Sequence, residues 1–189
     1  LVLLWLKKGL FMNLKKLKII DIIIIFILTF IFHFLYDLIP NNFTAIFFPV
    51  NESIWEHMKL LYTPIILTSL FDYFMATKNK IKLNNFFTSI SISSMLSIIL
   101  YLVIYMPIHN TFGHNAVFAI ILLFIIICFS QYISYIVLTK ENYQKLNIIS
   151  IVLIIIGFIV FGYLTYKPLR NNLFYDTKNE KYGINIYQI

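Results

Sequence analysis

Two carboxylates, an imidazole and an ammonium crowd into one stretch of an otherwise apolar chain: Pro49-Val50-Asn51-Glu52-Ser53-Ile54-Trp55-Glu56-His57-Met58-Lys59. Glu52 and Glu56 are four apart and share a helix face, with His57 beside them. Upstream, His33 and Asp37 repeat the same spacing. Carboxylate oxygens and imidazole nitrogens suit a divalent ion such as zinc, manganese or iron. The candidate metal ligands are therefore His33, Asp37, Glu52, Glu56 and His57, with His114, or its neighbour His109, closing the shell. Glu56 and His57 are also the candidates for proton transfer in a reaction. Ionisable groups this close to hydrocarbon are costly, which marks them as functional by default.

A plainer account competes for part of this stretch. Asn51 is a good N-cap, Glu52 suits the positive end of a helix dipole, and Ser53-x-x-Glu56 spells a capping box. Capping covers Asn51, Glu52, Ser53 and Glu56 but leaves His57 and Lys59 unexplained. Lys59 lies one turn from Glu56 and can pair with it. His33 and Asp37 also read as a polar pair facing headgroups, and His109 and His114 as solvated loop residues. The motif H-x-x-E-H fails because Ser53 stands where its first histidine belongs. H-E-x-x-H, G-x-S-x-G and a glycine-rich phosphate loop are absent.

The elements that must position these groups are membrane helices. The chain is 60% hydrophobic and 12% charged, with mean hydropathy +0.85. Apolar runs of roughly 20 residues match a hydrocarbon core of about 30 Å. They predict an all-α, polytopic membrane bundle of about five helices over residues 19–39, 53–76, 86–106, 116–138 and 148–166. Residues 1–18 form an N-terminal lead, with Met12 as candidate start. Residues 19–166 form the transmembrane domain, and 167–189 a polar tail. Pro40-Asn41-Asn42 stops the first span, Pro64 kinks the second, and Pro107 opens a loop to Asn115.

The net charge of +7 forms no basic stripe, so nucleic acid is not the partner; membrane lipid is. Lys15, Lys16, Lys18, Lys78, Lys80, Lys82, Lys140 and Lys145 fall on one side, and the two interhelical loops opposite have no Lys or Arg. The positive-inside rule then makes the N-terminus cytoplasmic, in a multi-pass protein of the cell membrane. All four histidines fall at the external end. The cytoplasmic end keeps the lone acids Asp21, Asp72 and Glu141. Cys128, alone in an apolar run, excludes an intrachain disulfide and a thiolate metal site. Ser89, Ser93 and Ser97 recur every four residues and predict close helix packing. Spans one and two are consecutive and antiparallel, so His33, Asp37, Glu56 and His57 are expected to converge in one external pocket.

The motif Asn51-Glu52-Ser53-x-Trp55-Glu56-His57-x-Lys59, after a first span containing His33, resembles an uncharacterised prokaryotic family of small integral-membrane proteins, a domain of unknown function. The tail is similar too, with Leu173-Phe174-x-Asp176 and then Tyr182-Gly183-Ile184. It departs from the pattern at Thr177 and Glu180, where Pro and Gly are expected. The resemblance covers the chain from about Met12 to Ile184. It implies architecture and transfers no catalytic residues. Two function classes fit the residues: a metal-assisted membrane hydrolase acting on a lipid or other amphiphile, and a non-enzymatic protein, ion-binding or transport-associated, whose polar cluster holds an ion or ligand.

Overall fold

A computed structural model describes residues 12–184. The expectation for the first eleven residues of the N-terminal lead therefore lies outside the described residues. The long helices are α1 (Leu14–Leu38), α4 (Lys59–Asn79), α5 (Phe86–Phe112), α6 (Ala116–Thr139) and α7 (Gln144–Tyr166). Two short helices, α2 (Thr44–Phe47) and α3 (Ile54–His57), lie between α1 and α4. Met58 joins α3 to α4, so that Ile54–Asn79 runs as one span. Among the described residues five helices are thus long and apolar enough to cross a membrane, and the fold is an all-α bundle.

The helices run longer than the hydropathy reading because they carry polar ends. Asn13 caps α1 by accepting the Lys16 N–H at 2.9 Å, which draws Lys15, Lys16 and Lys18 into the helix. At the far end of α5, the expected loop at Pro107 does not form. Proline removes only one N–H from the ladder, and the helix continues to Phe112, where Gly113 at φ 76° ends it. His109 is accordingly a helical residue, and only Gly113–Asn115 joins α5 to α6. Pro64 is accommodated inside α4. The carbonyl it frees is that of Leu60, and the Thr29 hydroxyl of α1 sits 3.1 Å from that oxygen. A neighbouring helix thereby supplies a donor, one that the Ile25 carbonyl of its own helix, 2.9 Å away, shares.

The contacts close α1, α4, α5 and α6 into a ring, with α7 packed outside it against α5. Tyr62 of α4 reaches α7 by donating to the Ile154 carbonyl at 2.8 Å. That reach depends on Gly157, because a Cβ there would lie 2.0 Å from the tyrosine oxygen. Outward faces are apolar, as with Ile19, Ile23, Ile27 and Ile31 on α1. Inside, Ser89, Ser93 and Ser97 are all buried, the small-residue contact expected of close membrane helices. Midway along the ring an apolar cluster that includes Ile25, Leu61, Ile65, Tyr101 and Ile126 fills the interior.

The tail folds back over the end that carries His33 and His57. Its hairpin pairs β1 (Tyr175–Asp176) with β2 (Lys181–Tyr182). Asp176 makes the turn without proline or glycine, accepting the N–H groups of Lys178 at 2.9 Å and Asn179 at 3.0 Å. Glu180 takes the left-handed position, φ 52°. Gly183 is different: at φ 59° its hypothetical Cβ would sit 2.5 Å from the Thr165 carbonyl oxygen, so the chain needs glycine there.

Candidate metal centre

His33 lies in the last turns of α1, His57 closes α3, and Glu52 sits in the loop before it. The loop is shaped by its own polar residues. Asn51 Oδ1 accepts the Ser53 N–H at 2.8 Å, and Ser53 Oγ caps α3 by accepting the Glu56 N–H at 3.3 Å. The tail fixes the loop from above. Asn51 Nδ2 donates to the Gly183 carbonyl, the Glu52 N–H to Asp176 Oδ2 at 3.0 Å, and the Trp55 N–H to the Leu173 carbonyl.

Three ligand atoms converge as a result. His33 Nε2 and His57 Nε2 are 3.2 Å apart. Glu52 Oε2 lies 3.7 Å from the first and 3.4 Å from the second. Tetrahedral ligands held about 2.0–2.1 Å from a zinc ion stand about 3.3–3.4 Å from one another. The triangle therefore has the right edge for one face of such a site. His57 Nδ1 is 2.8 Å from the Ser53 carbonyl oxygen. A proton on Nδ1 makes that hydrogen bond and leaves the Nε2 lone pair facing the triangle, the arrangement that orients metal-binding histidines. With no ion bound and His57 protonated at Nε2 as well, the Glu52 carboxyl is pulled down to about 2, chiefly by its hydrogen bond with His57; burial opposes this, and the charges of His57, His33 and Lys178 assist. It is thus a carboxylate at neutral pH.

The other expected ligands stand elsewhere. Asp37 is exposed, one turn beyond His33, and is not among the converging atoms. Glu56 points away from the triangle into the protein. It is buried, with Oε2 accepting from Lys59 Nζ at 2.6 Å and the Val50 N–H at 3.1 Å, and Oε1 accepting from the Thr165 hydroxyl at 2.7 Å. Lys59 also donates to the Ala45 and Phe48 carbonyls. This pair therefore ties α2, α4 and α7 together. His114 Nδ1 is 2.8 Å from the Tyr105 hydroxyl. Desolvation and the charges of His57 and His109 lower its pKa against the pull of Glu52, so it shares the field of the cluster without joining the triangle. His109 packs against the rings of Tyr105 and His114.

A second polar cluster went unread in the sequence. Lys18, Asp21, Asp72 and Gln131 meet inside the ring toward its other end. Its one local signal was the three-residue step from Lys18 to Asp21, which puts both on one helix face. Asp72 and Gln131 come from distant helices and gave no sign of sharing it.

A family model described as "Family of unknown function (DUF6512)" matches residues 6–184. No curated protein and no solved structure matches the chain.

Proposed function

The chain belongs to that family of unknown function, and from the site's own chemistry we propose that it is a membrane protein that binds one divalent ion, zinc by ligand type, through His33, Glu52 and His57. The supporting observation is the triangle of Nε2, Oε2 and Nε2 atoms within 3.2–3.7 Å of one another. Two histidines and a glutamate are a ligand set of catalytic zinc sites, which keep a fourth position open. An ion so held supplies a Lewis acid and an activated water. The reading that follows is a metal-assisted hydrolase whose site opens at the membrane face, taking an ester or amide of a lipid or other amphiphile. The lysine distribution supports an external site: the opposite end carries Lys78, Lys80 and Lys82.

One observation favours the alternative, an ion-binding protein without turnover. Glu56, the carboxylate best placed by sequence to serve as a base, is committed to Lys59 and Thr165. Metal analysis of the purified protein, followed by zinc titration of the metal-stripped form, tests the site. We expect one ion per chain in the wild type and loss of stoichiometric zinc in His57→Ala and His33→Ala. Absence of stoichiometric metal in the wild type, with no zinc-induced thermal shift, would sink both readings. Metal binding without hydrolysis of any lipid ester or amide in a panel would leave the ion-binding reading alone.

A further inference from the structure

The ring of helices encloses a polar cavity at the end opposite the histidines. It is lined from four helices: Lys18 and Asp21 on α1, Thr68 and Asp72 on α4, Ser93 on α5, and Gln131 on α6. Its volume is about 10 Å³, room for about one water. Asp21 is fully buried, and Lys18 and Asp72 are nearly so. Lys18 Nζ donates to Asp72 Oδ2 at 2.5 Å and lies 2.9 Å from Asp21 Oδ2, with Gln131 Oε1 at 3.5 Å. Lys18 thus hydrogen-bonds Asp72 and, at longer range, Gln131, and meets Asp21 as an ion pair. Among the described residues, neither oxygen of Asp21 has a hydrogen-bond partner, and Asp72 Oδ1 and the buried Thr68 hydroxyl have none either.

Among the described residues the charges do not balance. One ammonium faces two carboxylates, and the remaining lining side chains on α4, α5 and α6 are Thr68, Ser69, Ser93, Gln131, Ser134 and apolar groups, none of them titratable. Lys15 and Lys16, on the same helix as Lys18, are exposed and outside the lining. An uncompensated charge within a membrane helix bundle is costly. A single added positive charge removes the excess and gives the bare oxygens a partner. A metal cation of the Na⁺ type fits poorly, because Lys18 Nζ already occupies the point between the carboxylates. We propose that Lys18, Asp21 and Asp72 form a binding site for one exchangeable proton, carried by the aspartate pair while Lys18 stays charged. The Thr68 hydroxyl and Asp72 Oδ1, both without a partner among the described residues, belong to side chains lining the same cavity as Asp21. The apolar cluster around Ile25, Leu61, Ile65 and Tyr101 separates this site from the histidines. The proposal is therefore independent of the metal centre.

Charge balance makes the test quantitative. Infrared difference spectroscopy of the full chain in lipid nanodiscs counts protonated carboxylic acids by their C=O stretch. At neutral pH the wild type is expected to show one such group per chain, lost on alkaline titration. Asp21→Asn and Asp72→Asn each leave one ammonium and one carboxylate, so both are expected to lose the band. Lys18→Met leaves two carboxylates and no ammonium, and is expected to show two. Asp37→Asn, on an exposed carboxylate, is expected to keep the wild-type band. No band in the wild type at neutral pH, or a band that survives both asparagine variants, overturns the proposal. Loss of the wild-type band on replacing choline with Na⁺ at fixed pH and ionic strength would make this a metal-cation site and overturn the proton assignment. Where a variant does not fold, absence of the band in the wild type at neutral pH still overturns the proposal.

Discussion

Glu56→Gln is the substitution that separates a structural glutamate from a reactive one. The amide fits the site. With its oxygen in the Oε2 position it still accepts from the Val50 N–H and from Lys59, now 3.1 and 2.6 Å away. Its NH₂ then faces Thr165, whose hydroxyl can turn to donate to the Phe161 carbonyl, 2.9 Å away, and accept instead. What disappears is the countercharge of Lys59, a side chain 1% exposed. Removing one partner of a buried ion pair typically costs about 3–5 kcal/mol. A ceiling follows from the alternative open to the lysine. Shedding its proton at pH 7 costs about 4.6 kcal/mol, taking a free pKa of about 10.4 and about 1.36 kcal/mol per unit. Unfolding in detergent should therefore show Glu56→Gln destabilised by about 3–4.6 kcal/mol at pH 7. The deficit should narrow by up to about 1.4 kcal/mol for each unit of rising pH once the variant's lysine is neutral. Glu56→Gln combined with Lys59→Met should recover much of the loss, because apolar replacement of a whole buried pair is often neutral or stabilising. Zinc binding by any folded fraction should match the wild type. A variant as stable as the wild type but unable to hold metal or turn over substrate would refute this reasoning and return Glu56 to the site.

Other outcomes follow from single contacts. Gly157→Ala should destabilise the bundle by about 1–3 kcal/mol, the overpacking range, since its methyl lands on the Tyr62 hydroxyl; Tyr62→Phe should partly relieve it in thermal unfolding. Ser93→Leu should cost a similar amount, as Ser93 is buried between helices; an unchanged unfolding temperature would contradict that packing. Asp176→Asn sets an NH₂ group against either the Glu52 N–H or the N–H groups of Lys178 and Asn179 and should loosen the tail, seen as faster proteolysis at 177–184. Burial pushes the Asp176 carboxyl up, but donors from Asn179, Glu52 and Lys178 outweigh it and hold the group below the usual carboxylate range. Its contribution should thus be full above about pH 4 and fall away at lower pH, and Asp176→Asn should flatten that acid limb. Cysteines at Asn42 and Asn110 should label from outside the cell and one at Asn79 from inside, and the reverse pattern would move the histidine end to the cytoplasm.

Apolar runs carry most of the fold in plain view, because a span needs only length and hydropathy. Their ends do not: Asn13 extends α1 through three lysines, and Pro107 sits inside α5 rather than ending it. His33 and His57 could be brought together on paper because consecutive antiparallel helices match their depths. Glu52 and Glu56 show where that reasoning stops. Both lie near His57 in sequence, but which carboxylate turns toward the imidazoles depends on Lys59, Thr165 and Asp176, and Thr165 and Asp176 are more than a hundred residues away. Capping chemistry explained Ser53 correctly, while the tail's part in holding the loop had no local signature. The Lys18–Asp72 pair was hidden for the same reason, since hydropathy treats each lone charge as an interruption and not as half of a contact.

The tie between Glu52 and Asp176 spans 124 residues, and proteins are made from one end. At synthesis rates of about 5–20 residues per second, the loop waits roughly 6–25 s after Glu52 is made before Asp176 leaves the peptidyl-transferase centre. During that interval the first two spans can already pair and bring His33 to His57, but nothing fixes the backbone of the carboxylate arm. Completion of the triangle is thereby deferred until the tail through Asp176 has been made. A chain truncated or stalled before Asp176 carries both imidazoles without the clamp that sets Glu52 against them, so synthesis through the hairpin is itself a condition for a finished site.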